Sequence, residues 1–103
     1  MTDGFFKIKH SDSKTTLKLK GDFNSNNIFR IQQVIIITRS YHDELLELDM
    51  SEVEAIDVQA MALISINLKE LRDSGKSTSV TGLNGNNLNL AEELGLQFIT
   101  KIK

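Results

Sequence analysis

The spacing of apolar residues changes repeatedly along this chain, and that change of period restricts the fold more than any other feature. In "FFKIKH" (5–10) and "TTLKLKG" (15–21) they recur at every second position. Successive side chains on a strand point to opposite faces, so each run has one buried and one wet side. Phe6 and Ile8, then Leu17 and Leu19, share the predicted inner side. The polar "SDSK" between the runs is a turn, and the two runs form a β-hairpin. Lys7, Lys9, Lys14, Lys18 and Lys20 alternate with these apolar residues and supply its wet face.

Beyond "GDFNSNN" the period becomes helical. Asn24 and Ser25 are candidate N-caps. Ile28, Ile31, Val34, Ile35 and Thr38 form one stripe of a helix over 28–39, with Arg30, Gln32 and Gln33 opposite. "ELLELDMS" (44–51) alternates again, with Leu46, Leu48 and Met50 on one side and Leu45 on the other. It is expected to end in an acidic turn. The next helix starts at "IDVQAM" and carries Met61, Ile64, Leu68 and Leu71, widened by Ala60 and Leu63. Ser74-Gly75 ends it, since glycine favours the position just past a helix. "KSTSVTG" (76–82) is a weaker, partly exposed strand. "NLNLAEELG" (87–95) is a short helix with Leu88, Ala91 and Leu94 inward, and "LQFITKI" (96–102) a last strand.

The order β-β-α-β-α-β-α-β defines an α/β fold: a mixed sheet, largely parallel through right-handed crossovers, with the hairpin as its antiparallel edge. The 103 residues, 40 % hydrophobic and 25 % charged, suit one domain over 1–103 with one modest core. Nucleic-acid binders usually show a basic face; a formal net charge of -2 suggests none here, and no nucleic-acid partner is expected. The chain has no cysteine, which excludes disulfides and thiolate metal sites and permits a cytoplasmic address. No signal peptide is expected, and "VIII" (34–37), the longest apolar run, is far too short to insert into a bilayer.

A search for chemistry assembles no catalytic set. His10 and His42 are far apart and without partners at ligand spacing, so both are read as surface residues. "GLNGNN" (82–87) lacks the spacing of a dinucleotide fingerprint and the lysine of a P-loop. Glu92 and Glu93 are neighbours on a helix and point apart. Glu44, Glu47, Asp49, Glu52 and Glu54 are read as a solvated strand edge and loop. No cofactor, no metal and no enzymatic activity are expected.

What remains is the junction between the central strand and the second helix. Asp57 is placed to cap that helix by accepting from the N–H groups of residues 59 and 60, and its charge suits the positive helix end. The element order, with "LDMSEVEAID" (48–57) at its centre, resembles the STAS domain, the fold of bacterial anti-sigma factor antagonists. "GDFN" (21–24) resembles the Gly-x-x-Asp segment leading into the family's first helix, with Asp22 one place early. "LKELRDSGKSTSVTGLN" (68–84) is similar to its helix, glycine stop and fourth strand, and "LAEELGLQFI" (90–99) to its third helix and final strand.

The resemblance implies a non-enzymatic interaction module of signalling and transcription regulation, working in the cytoplasm. Its expected partner is an anti-sigma factor that is also a serine kinase, bound through Asp57, Val58, Gln59, Ala60, Met61 and Asp22, with Ser65 and Asn67 extending the surface along the helix. In phospho-switch members the junction reads Asp, Ser, Ser or Thr, Gly, Leu, and the second hydroxyl accepts phosphate. Here Asp57 and Met61 match the ends of that pattern, Val58 and Gln59 stand where the hydroxyls would be, and Ala60 replaces the glycine. Gln59 cannot be phosphorylated. Two other readings are a subunit of a lipid-transport ATPase complex and a small enzyme or nucleotide-binding domain.

Overall fold

A computed structural model describes residues 5–40 and 44–103; His42 lies outside the described residues. The elements are β1 (Phe6–Ser11), β2 (Lys14–Phe23), a 3-10 turn (Ser25–Asn27), α1 (Ile28–Ser40), β3 (Leu45–Ile56), α2 (Val58–Asp73), β4 (Ser77–Thr81), α3 (Gly85–Glu93), a second 3-10 turn (Leu96–Phe98) and β5 (Lys101–Ile102). Asp12 and Ser13 alone join β1 to β2, both at positive φ. That is the primed two-residue turn whose twist matches paired strands.

The five strands lie in the order β1-β2-β3-β4-β5. β1 pairs antiparallel with β2, and every other pair is parallel. The order never reverses, so right-handed crossovers carry every helix to the same face. Leu17, Leu48, Val80 and Ile102 stand in one row across the sheet beneath those helices. Leu17, Leu19, Leu48, Met50 and Val80 are fully buried against Ile31, Val34, Met61, Ile64 and Leu68. Burial of each such side chain contributes roughly 1.5–3 kcal/mol. The opposite face carries Lys7, Lys9, Thr16, Lys18, Glu47 and Ser79, and no helix among the described residues packs on it. Among the described residues, no helix is long and apolar enough to cross a membrane.

The mixed sheet, the element order and most of the inner stripes follow the sequence reading. Four details do not. The acidic segment after Met50 is not a turn: β3 continues to Ile56, burying Val53 and Ile56. Their spacing departs from strict alternation, and register shifts against β2 absorb it. The segment 96–102 is not one strand. Gly95 takes a left-handed conformation, Leu96–Phe98 forms a 3-10 turn, and β5 has two residues. Leu96 and Ile99 face inward at a spacing of three, while Phe98 is 80 % exposed. Leu94 is 37 % exposed because α3 stops at Glu93 and Leu94 leaves its stripe.

The fourth departure concerns α2. Ser65 and Asn67 do not extend an exposed surface; they are 6 % and 2 % accessible. The Ser65 hydroxyl donates to the Met61 carbonyl at 2.8 Å. The Asn67 amide donates to the Thr38 hydroxyl at 2.8 Å, and its oxygen accepts from Arg39 Nε at 3.2 Å. This polar tie fixes α1 against α2, because any other register would leave buried groups unpaired.

Gly82, just past β4, has φ +82°, and a Cβ there would sit 2.4 Å from the Ser51 backbone nitrogen. The chain passes so close to β3 that no side chain fits. Gly82→Ala is expected to destabilise the fold by about 2–4 kcal/mol, from left-handed strain plus overpacking against backbone. Chemical denaturation checks this, and a loss below ~0.5 kcal/mol would contradict the close approach.

Candidate functional site

β2 and β3 are parallel and end side by side, with Phe23 opposite Ile56. The Asp57 N–H donates to the Phe23 carbonyl at 3.2 Å, extending the pairing by one bond. Both chains then turn into helices, so two helix N-termini with unsatisfied N–H groups lie next to each other. Asn24 closes the first: its side chain accepts from Asn26 N–H at 2.9 Å, while the Asn27 side chain accepts from Asn24 N–H at 2.8 Å. Asn27 also donates to the Asp22 carbonyl at 2.9 Å.

Asp57 closes the second helix and reaches the first. Its Oδ1 accepts from Ala60 N–H at 2.9 Å, and its Oδ2 accepts from Ser25 N–H at 2.9 Å. The cap expected from sequence is present through residue 60, and the bond to Ser25 is an addition. One carboxylate therefore joins the starts of α2 and of the turn leading into α1. The Ala60 N–H holds the Asp57 carboxyl below its ordinary value of 3.8; desolvation opposes this, and the Ser25 N–H adds to it. The charge favours both positive helix ends.

The predicted site residues separate into two groups. Asp22, Val58 and Gln59 are exposed, and Asp57 is half-buried. Among the described residues no hydrogen bond engages the Gln59 side chain. Ala60 and Met61 are fully buried and hold the first turn of α2 on the sheet. Asp22 meets its neighbours through its backbone carbonyl, which accepts from Asn27 and, at 3.3 Å, from Arg30. Ser25, exposed and bound to Asp57, belongs to this surface and escapes sequence reading. Its neighbours in the chain are uniformly polar, and only the alignment of the β2 and β3 ends brings it to Asp57.

No group of acidic, histidine or cysteine residues among the described ones could hold a metal ion. The strand order has no reversal, the place where open α/β sheets bind ligands. What the site offers is a rigid, polar helix start with free side chains at 58 and 59.

A family model described as "STAS domain" matches residues 6–103. Among solved structures, a candidate anti-sigma factor antagonist from Thermotoga maritima is 22 % identical, with TM-score 0.78 over 96 % of this chain and 86 % of that one. An anti-sigma factor antagonist from Mycobacterium paratuberculosis is 13 % identical, with TM-score 0.81 over 94 % and 82 %. A sulfate transporter family protein from Wolinella succinogenes is 14 % identical, with TM-score 0.71 over 89 % and 77 %. At these identities the likeness is one of fold. No curated relative matches the sequence.

Asp57→Ala loses both acceptors and is expected to cost about 1–3 kcal/mol, a cap plus one further hydrogen bond. Asp57→Asn keeps one oxygen and should cost less. The folded carboxyl is depressed, so its stabilisation is complete above the ordinary value of 3.8 and disappears as pH falls through the folded value. The stability gap between wild type and Asp57→Asn should therefore be widest near neutrality and close in acid. Thermal melts from pH 2 to 7 measure this, and a gap independent of pH would refute the double cap.

Proposed function

Because the chain belongs to the STAS domain family, we propose that it is a non-enzymatic interaction module, similar in use to anti-sigma factor antagonists. It binds a regulatory protein in the cytoplasm, an anti-sigma factor or switch kinase, through the start of α2. Residues 1–103 act as one such module. The observation that carries this reading is the division of labour at the junction. Both oxygens of Asp57 are taken by backbone N–H groups, while the exposed side chains of Val58 and Gln59 bond to nothing among the described residues. Val58 offers apolar area and Gln59 offers a donor and an acceptor. Asp57, Ala60 and Met61 hold that pair in place.

Phosphorylation at the usual position is replaced here by a fixed neutral state. A phosphate at 59 would bring about two negative charges beside Asp57. Glutamine keeps the surface in one condition. The module is thus permanently competent for its partner, or its regulation rests on another hydroxyl. Ser51 bonds to Asp49 in the middle of β3, Ser65 is buried, and Ser25 alone is exposed beside Asp57.

Incubation with a switch kinase and ATP is expected to leave residues 57–61 unmodified by intact and peptide mass spectrometry. A stoichiometric phosphate on Ser25 or Ser51 would replace the fixed state with a relocated switch. Binding is tested separately. A pull-down names the partner, and recovery of a transporter ATPase subunit instead of a sigma regulator would move the module to the transport reading. Titration calorimetry then compares variants. Gln59→Glu should fold normally, since a negative charge suits the first turn. It should bind about ten-fold or more weakly, the consequence of a charge desolvated at the interface. Gln59→Ser should bind near normally. Equal affinities for all three would place the interface elsewhere.

A further inference from the structure

The uncovered face of the sheet carries charge of one sign in excess. Lys7 and Lys9 on β1, Lys14, Lys18 and Lys20 on β2 and Lys101 on β5 all project from it by register. Its acids are Glu47, Asp49 and Glu52, fewer than its lysines: Glu47 pairs with Lys14 at 3.5 Å and Lys103 at 3.4 Å, Glu52 with Lys18 at 2.6 Å, and Asp49 accepts from Ser51. Among the described residues, Lys7, Lys9, Lys20 and Lys101 have no ion pair. The chain as a whole is net acidic at -2, so this excess is a segregation of charge and no general basicity. The helix layer holds Asp57, Glu70, Asp73, Glu92 and Glu93 against Arg30, Arg39, Lys69 and Arg72, so its charges nearly cancel. The molecule is thin, 36 × 31 × 19 Å, so the sheet presents one of its two broad sides.

The composition of that face selects among anionic partners. Its excess cations are all lysines; the three arginines lie on α1 and α2. Arginine gives the bidentate bonds that specific phosphate or carboxylate recognition uses, whereas lysine acts as a mobile point charge. Lysine is depleted at protein interfaces, whose energy comes from buried aromatic and arginine anchors. The neutral residues here are Thr16, Leu45, Ser77, Ser79 and Thr81, with no aromatic among them. A sheet face that binds a duplex groove opens it with inserted aromatic or other large apolar wedges, and no aromatic among the described residues projects from this face. A diffuse, laterally mobile anionic layer needs neither fork geometry nor anchor, and each lysine near it adds a similar increment.

We propose that the open sheet face is a peripheral docking surface for anionic lipid headgroups, adsorbing without insertion. Adsorption on this side leaves the start of α2, in the helix layer, facing away from the bilayer and open to a protein partner. The contrast between the lysine-rich sheet face and a helix layer whose charges nearly cancel sets that orientation, because a molecule with unevenly distributed charge aligns in the field of the surface.

Sedimentation with vesicles tests this on the whole chain. With 30 % phosphatidylserine in phosphatidylcholine at 50 mM salt, binding is expected. It should be absent on pure phosphatidylcholine and fall at least ten-fold at 300 mM salt, as screening requires. Lys7→Gln, Lys9→Gln and Lys20→Gln should each weaken binding about five-fold and together about a hundred-fold, while Lys69→Gln on α2 leaves it unchanged. All four positions are exposed, and circular dichroism melts confirm that the variants fold. The proposal fails if anionic vesicles do not bind the protein, if neutral vesicles bind equally, or if the lysine variants match wild type. It also fails if duplex DNA binds the same face more tightly than the vesicles, which would make the site one for nucleic acid.

Discussion

The parallel ladder between β2 and β3 is the interaction on which the other parts depend. It runs from Lys14 opposite Leu45 to Phe23 opposite Ile56, and it survives two register shifts on the way. Parallel strands cannot be joined by a tight turn, so α1 has to cross over between them. The ladder fixes where α1 returns and how far β3 runs. Because the two strands finish together, it also puts the N–H groups of two helix starts within reach of one carboxylate. A slip of one residue would send the buried leucines of β3 to the wet face and carry Asp57 away from Ser25.

A second constraint follows from strand order. A sheet built steadily in one direction collects its helices on one face, and this sorts every side chain by layer. It explains why Ser65 and Asn67 are interior residues despite their polarity. They lie on the sides of α2 turned toward its neighbours, and their bonds to Met61, Thr38 and Arg39 make burial tolerable. It also explains why the exposed part of the α2 start is small. Once Ala60 and Met61 are fixed under the helix, only Val58 and Gln59 remain to meet another molecule.

Much of this was legible in the chain itself where one periodicity dominated. Leu17 and Leu19, or Met61, Ile64 and Leu68, lie on faces that alternation and helical spacing identify without ambiguity. Legibility failed where two rules competed. Val53 and Ile56 break the alternation of β3, and only the extra residues that β3 takes up against β2 keep them inward. Leu96 and Ile99 satisfy a spacing of three inside a run that also alternates, and the left-handed Gly95 decides for the turn. Ser65 and Asn67 look like solvent residues because nothing in a single helix reveals what packs beside it. Asp57 was identified as a cap from its place before an apolar stripe. Its second partner, Ser25, lies 32 positions away and is set by tertiary register alone.

The two margins of the sheet remain, and they are finished differently. On one side β1, six residues long, is the outermost strand of the described sheet, long enough to accept a further strand. Its side chains include Lys7 and Lys9, and charge of this kind discourages an identical edge from approaching. On the other side β5 has two residues, too few to template a ladder. Repulsion guards one margin and brevity guards the other. Edge-to-edge stacking of copies, the route by which open sheets grow into fibres, is therefore opposed at both ends of the strand order.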